Sequence, residues 1–437
     1  MKAFVSISCL TFFSIFSLDF VLAFSFPISP NHSQRSFSYP NIPPTYSSVK
    51  NKLQTDDYNV ADSPSLATKK RHPSKMPQMI TSDEDFISFL ESEINVHPGT
   101  QTQYQHIYQL AIQAILKWRT RFHGNPKLWK RLFDKKRILK ELIEAAPIID
   151  AVQKIVSEYT QEEPFTIVDL ASGKGFLSMF LSEMLPPNKV EGILLIDKAW
   201  PMRNHSPKSH HINWDHIYGS LPNTTAVFSA TYFDTWPIPM HTSKQDLKQT
   251  CTKRQMKQNL FDTCKGPILI LAIHLCGTLS LKAVEMFNDH DNVSFLALKP
   301  CCLPRMVHAN RGDIFQIGNH SFPATQVCSP GYFVKKQWNG PPRWHLEKKF
   351  HLWSENLFKG IDIEEFDSKS FQLNRFHDEE LNGDSVTYQP QCGKKEKHFI
   401  EIQVDGGFQN TYIFAERSPL TSPLWMSLQE NKCKNDP

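Results

Sequence analysis

Phe165-Thr166-Ile167-Val168-Asp169-Leu170-Ala171-Ser172-Gly173-Lys174-Gly175 joins two signals, and a third follows at once. The apolar, partly β-branched opening reads as a strand. It breaks into small residues and two glycines. From Phe176 to Leu185 most positions are apolar, and the segment reads as a helix. Strand, glycine turn and helix make a nucleotide-handling βα unit. The glycines let backbone approach a ligand, and the helix N-terminus offers free N–H groups. A second strand, Gly192 to Ile196, ends in Asp197. That acid falls roughly 20 residues beyond the turn, where it can take both hydroxyls of a ribose. The G-x-G-x-x-G spacing of an NAD site is not present.

Downstream, His205, His210, His211 and His216 follow no standard metal spacing and read as solvated loop residues. Ala226 to Asp234 reads as a third strand, and Pro237 to Lys265, polar and basic, as an exposed insertion with a helix. Pro267 to Ile273 is apolar throughout, as a buried parallel strand should be, and ends in His274-Leu275-Cys276-Gly277. A helix from Ser280 to Phe287 leads to a fifth strand, Val293 to Leu298, which ends in Lys299-Pro300-Cys301-Cys302. A helix-like stretch, Trp344 to Lys359, precedes an acidic, polar run over about 362–397. His398–Val404 and Thr411–Ala415 then read as a closing hairpin.

The D-x-x-x-G-x-G turn, the acid after the next strand, H-L-C-G and P-C-C together resemble class I S-adenosylmethionine-dependent methyltransferases. The resemblance is to the branch that includes acceptor-stem tRNA 2′-O-methyltransferases and uncharacterised methyltransferase-domain proteins. It covers about 165–304. The usual first glycine of the turn is Ala171 here, and the Cys/His zinc-finger segments of the tRNA group have no equivalent near this N-terminus. The resemblance implies an α/β fold, a Rossmann-like seven-stranded class I methyltransferase sheet preceded by a smaller helical domain. It implies S-adenosyl-L-methionine as cofactor. Asp169, Ala171, Gly173 and Gly175 would hold its methionine end and Asp197 its ribose, with Phe233 and Asp234 against the adenine. His274 and Cys276 would then lie where the methyl is transferred.

Three chemistries compete for His274, Cys276, Cys301 and Cys302. His274 can act as the base for a hydroxyl or amine. A cysteine can attack a pyrimidine ring, although the P-C and T-C dipeptides of two-cysteine RNA methyltransferases match only loosely. The four residues can bind a metal. The plain alternative is that cysteines pack there as small hydrophobes. No metal is expected at these four residues.

Upstream of the turn, 79–163 reads as a basic helical domain. Ser82 to Asp85 can cap its first helix, and Pro126 opens a later one. Between Lys117 and Lys140 ten Lys or Arg face one acid, Asp134, with Trp118, Phe122, Trp129 and Phe133 interleaved. Cations beside aromatics suit phosphate contact and base stacking, so Lys130, Arg131, Lys135 and Arg137 are candidate substrate contacts and RNA is the expected partner. A solvated helix face over an aromatic core would carry the same pattern. The chain of 437 residues has a formal charge of only +4, so distribution matters more than total.

The N-terminus reads as a targeting region. Residues 1–23 form a signal peptide with a small-x-small end at Val21-Leu22-Ala23. Residues 24–78 hold too little apolar material to fold and have transit-peptide composition, without an acid from Phe24 to Thr55. Phe24 directly after the cleavage point resembles bipartite plastid presequences of algae with secondary plastids. The nine cysteines are odd in number and irregularly spaced, which suits a reducing compartment. The expected location is the plastid, with the secretory pathway as alternative and no stable membrane association after presequence cleavage. The methyltransferase domain is expected over 164–417, with insertions at about 237–265 and 305–397, and 418–437 as tail. Methyl transfer to tRNA or rRNA is the expected activity. A small-molecule methyltransferase with a helical lid, or a non-catalytic RNA-binding or assembly factor, are the alternatives.

Overall fold

Strands buried on both faces need no polar alternation, and the central ones have none. Phe165–Leu170 (β1), Ile268–Ala272 (β4) and Val293–Leu298 (β5) are buried at every position. The computed structural model describes residues 82–95, 103–133, 137–202, 205, 207–219, 232, 235–334, 337–365, 392–400 and 410–417.

Four helices come first: α1 (Asp83–Ile94), α2 (Gln105–Arg121), α3 (Pro126–Phe133) and α4 (Arg137–Glu158). Then follow β1, α5 (Phe176–Met184), β2 (Val190–Ile196), the short α6 (Asp215–Tyr218), β3 (Met240–Ser243), α7 (Thr250–Met256), β4, α8 (Leu279–Asp289) and β5. The remainder holds α9 (Met306–Asn310), two small hairpins, β6–β7 (Ile314–Ile317, His320–Pro323) and β8–β9 (Tyr332–Val334, Gln337–Asn339), and α10 (Glu347–Lys359). The strands β10 (Glu364–Glu365), β11 (Cys392–Phe399) and β12 (Thr411–Arg417) complete it.

The main sheet runs β10-β11-β12-β5-β4-β1-β2-β3. From β3 to β5 neighbours are parallel; β12 is antiparallel to both β5 and β11. Without the two-residue β10, this is the expected seven-stranded Rossmann-like class I sheet. Reversal of strand order between β1 and β4 opens a crevice at their carboxyl ends, where ligands of open α/β sheets bind.

Three sequence expectations change. The strand beside β2 is Met240–Ser243, paired from Ile193↔Met240 to Ile196↔Ser243, inside the segment read as an exposed insertion. The strand expected at 226–234 lies outside the described residues. The closing hairpin starts earlier than expected, at Cys392, with Gly393↔Arg417 through Phe399↔Thr411 in register. Finally, the helices that precede β1 do not form a separate body. Ile80–Pro437 is one compact unit. One apolar core joins Phe86, Trp118 and Ile148 from the helices to Phe180 and Leu195. No described helix is long and apolar enough to cross a membrane.

Candidate active site

The turn after β1 is held from every side. Ser172 N donates to Ile196 O at 3.1 Å, and Gly175 N to Ser172 O at 2.8 Å. Trp200, fully buried, donates Nε1–H to Ser172 Oγ at 3.1 Å. His216 Nε2 lies 2.7 Å from the Lys174 carbonyl, so Nε2 carries the proton and donates. Burial pushes His216 down to about 4 and keeps it neutral. It is therefore a fixture of the turn, not the solvated loop residue expected for it. Gly173 and Gly175 take φ of 54° and 77°. The φ of Gly175 alone disfavours any other residue, and a Cβ there would also press on the Leu195 Cδ2 methyl. Ala171 keeps a left-handed φ of 54° at the position where the resembled family has glycine.

Two acids flank this turn. Asp169 is buried, accepts Ser178 Oγ–H at 2.7 Å, and is pushed up to about 7, chiefly by burial. Asp197 closes the turn: Gly173 N donates to Oδ2 at 3.2 Å and Ala199 N to Oδ1 at 2.8 Å.

The opposite wall comes from α4, which presents Arg137, Glu141 and Glu144 at helical spacing on one face. Glu141 Oε2 lies 2.6 Å from His274 Nε2, just beyond β4. Burial lowers the His274 pKa, but the hydrogen bond and charge of Glu141 outweigh it and raise it overall. Burial likewise raises Glu141, and His274 more than reverses it. Three residues along α4, buried Glu144 meets buried Lys299 Nζ at 3.1 Å, just beyond β5. Tyr412 Oη donates to the Glu144 carbonyl at 2.8 Å.

Between these walls lies a cavity of about 300 Å³. Arg137, Glu141, Asp169, Gly173, Phe176 and His274 contribute to its lining, with Ala171 and Lys174. Cations and carboxylates beside apolar surface suit a zwitterion with an apolar body. The volume is at the lower end of the roughly 300–1,000 Å³ of small-molecule sites. Among the predicted residues, Asp169, Ala171, Gly173, Arg137 and His274 meet at this cavity. Gly175 and Asp197 shape the turn from behind, outside the lining. Phe233, Asp234 and Lys135 lie outside the described residues.

Cys276 stands apart from the cavity lining and is exposed. Its sulfur is 3.4 Å from that of Cys301, which is 3.7 Å from that of Cys302. Hydrogen bonds from the two neighbouring thiols hold Cys276 below the ordinary thiol range, and Cys301 is raised in turn.

The aromatics of the basic stretch are core, not a stacking platform. Trp118 and Phe122 are fully buried, and Trp129 and Phe133 nearly so. Trp118 packs on Phe180 with ring centroids 4.8 Å apart and donates Nε1–H to Glu183 at 3.2 Å. Arg121 pairs with the same carboxylate at 3.1 Å and stacks on Trp236. Arg131 is half-buried, while Lys127, Lys130, Arg137 and Lys140 are exposed. Glu141, Glu144, Ser178, His216 and Lys299 were not anticipated. Only the helical spacing of Glu141 and Glu144 with Arg137 offered a signal.

A family model described as a methyltransferase domain matches residues 139–308. That span holds β1 to β5, the glycine turn, His274 and the three clustered thiols. No curated protein matches the sequence. Among solved structures, the chain is similar to a cyclopropane-fatty-acyl-phospholipid synthase-like protein from Lactobacillus casei ATCC 334. Identity is 14% and the TM-score 0.18, over 35% of this chain and 50% of that one, so the chain spans half of that protein's length.

Proposed function

We propose that this chain is a methyltransferase, as the match of a methyltransferase-domain model to residues 139–308 supports, that its cavity binds S-adenosylmethionine, and that the methyl passes to RNA with His274 as the base. The observation that carries this reading is the cavity itself. It brings Arg137, Glu141, Asp169 and His274 together beside the glycine turn. Arg137 suits the cofactor's carboxylate, and Asp169 and Glu141 suit its ammonium and sulfonium charges. S-adenosylmethionine supplies the electrophilic methyl group. With Nε2 engaged by Glu141, the Nδ1 of His274 is the nitrogen left to accept the acceptor's proton.

Support for RNA is electrostatic. Exposed Lys127, Lys130 and Lys140 lie on the two helices that lead to and carry Arg137, which itself lines the cavity. A small-molecule acceptor is the second reading, favoured by the burial of Trp118, Phe122, Trp129 and Phe133, which removes them from base stacking. The plastid address belongs to the same proposal and rests on the composition of residues 1–78.

Calorimetric titration of S-adenosylmethionine into the full chain tests the cofactor. Saturable binding, weakened about tenfold or more in Asp197→Ala, a loss of roughly 1.4 kcal/mol, is expected. A folded protein that takes up no cofactor would remove the reading. RNA affinity is expected to fall with salt, and Lys130→Ala to reduce the log–log slope by about 1. Salt-independent or absent RNA binding would favour the small-molecule acceptor.

A further inference from the structure

The loops after β4 and β5 converge on three sulfurs. Cys276 and Cys302 face each other in a parallel backbone bridge, and Gly277 N donates to Cys302 O at 3.2 Å. Gly277 makes this approach at a φ of 57°. The three Sγ atoms of Cys276, Cys301 and Cys302 all lie within 4.8 Å of one another. Cys276 and Cys301 are 3.4 Å apart, and Cys301 and Cys302 3.7 Å.

Those separations are informative. Zinc takes thiolates at about 2.3 Å, so sulfurs at the corners of a tetrahedron around it stand about 3.8 Å apart. Three thiols converging at that spacing form one face of such a tetrahedron. Their surroundings also differ from those of a packed thiol. Cysteines used as small hydrophobes are buried, as Cys328 is here, whereas Cys276 is exposed and Cys301 and Cys302 are half-buried. The backbone bridge fixes two of the three before any ion arrives, which lowers the ordering cost of binding.

We propose that Cys276, Cys301 and Cys302 are three ligands of one zinc ion at the carboxyl ends of β4 and β5, with the fourth coordination position left open by the described residues. Each thiol releases its proton to solvent as its Zn–S bond forms, and no change of oxidation state is involved. The soft sulfur set selects zinc over magnesium or calcium, which take oxygen ligands. Three protein ligands and an open position distinguish a reactive zinc from a structural one. The exposure of Cys276 places that position toward solvent, available to water or to a heteroatom of the acceptor. The site does not depend on S-adenosylmethionine binding.

The test is elemental analysis of the full chain purified without chelator, followed by cobalt(II) titration of the metal-stripped protein. One equivalent of zinc is expected. Cobalt should produce the intense thiolate-to-metal charge-transfer absorption and saturate at one equivalent. Cys301→Ser should lose that band, and Cys251→Ser, which changes an exposed cysteine outside the cluster, should keep it. If Cys301→Ser does not fold, the wild-type cobalt spectrum decides. A wild-type protein without zinc and without the charge-transfer band would overturn the proposal. Equal metal in a folded Cys301→Ser, or a disulfide within the trio in protein purified under reductant, would also overturn it.

Discussion

Glu141 and Glu144 are three residues apart on α4, and each reaches a basic side chain just beyond a central strand. Glu141 meets His274 with side chains 28% and 38% exposed; Glu144 meets Lys299 at 8% and 2%. Water reaches the first pair, which borders the cavity and can exchange a proton. The second is buried; Glu144 also has the exposed Lys140 ammonium at 3.8 Å, but removing Glu144 would leave the buried Lys299 without its carboxylate. On the proposed reading, the same acid on the same helix face thus serves chemistry in one case and fastening in the other. Access to water makes the difference.

The largest effect that would break this comparison is at His274. His274→Ala should lower methyl incorporation from labelled S-adenosylmethionine into total RNA by roughly 10²–10⁴-fold, the usual contribution of a positioned base, a loss far larger than any change in calorimetric cofactor affinity. Retained incorporation would end the base assignment. On the buried side, Glu144→Ala should cost about 3–5 kcal/mol in urea unfolding, because it strands the Lys299 ammonium. The double change Glu144→Leu with Lys299→Met should restore stability to near wild type or above. A double variant as unstable as the single one would show that the pair is not closed.

Asp169 sharpens the contrast as a third acid, buried like Glu144 but hydrogen-bonded by a hydroxyl instead of a cation. Its folded pKa of about 7 lies above the ordinary 3.8. The folded state therefore holds a proton that the unfolded chain releases. That stability is complete below about pH 4 and is lost as pH rises through 7. Asp169→Asn should remove this dependence, a difference of a few kcal/mol at most. The measurement is the melting temperature of wild type relative to variant between pH 4 and 8. A difference that does not change with pH would contradict the burial argument.

What was legible in the sequence follows the same physics. β1, β4 and β5 are central, covered on both faces, and so nearly all apolar; the glycine turn and His274 sit at their ends and were found with them. β3, Met240-His241-Thr242-Ser243, is an edge strand whose last three positions are half-buried, so its polar residues hid it. β11 begins Cys392-Gly393-Lys394-Lys395-Glu396-Lys397, charges that read as solvated chain although the strand pairs along its length with β12. The basic stretch misled in the opposite direction, because its aromatics point to the core and only part of its cations face water. The partners Glu141 and Glu144 resemble ordinary helix surface residues, and nothing in one dimension joins them to positions 133 and 155 residues away.

The Tyr412 hydroxyl that holds the Glu144 carbonyl comes from 268 residues further along the chain. During synthesis the glycine turn, α4 and His274 all leave the ribosome before it does. The wall that carries Arg137 and Glu141 therefore gains its last clamp only when β12 has slotted in between β5 and β11. A protease nick close to the C-terminus, far from the cavity in sequence, would be felt first as a loosened cavity wall.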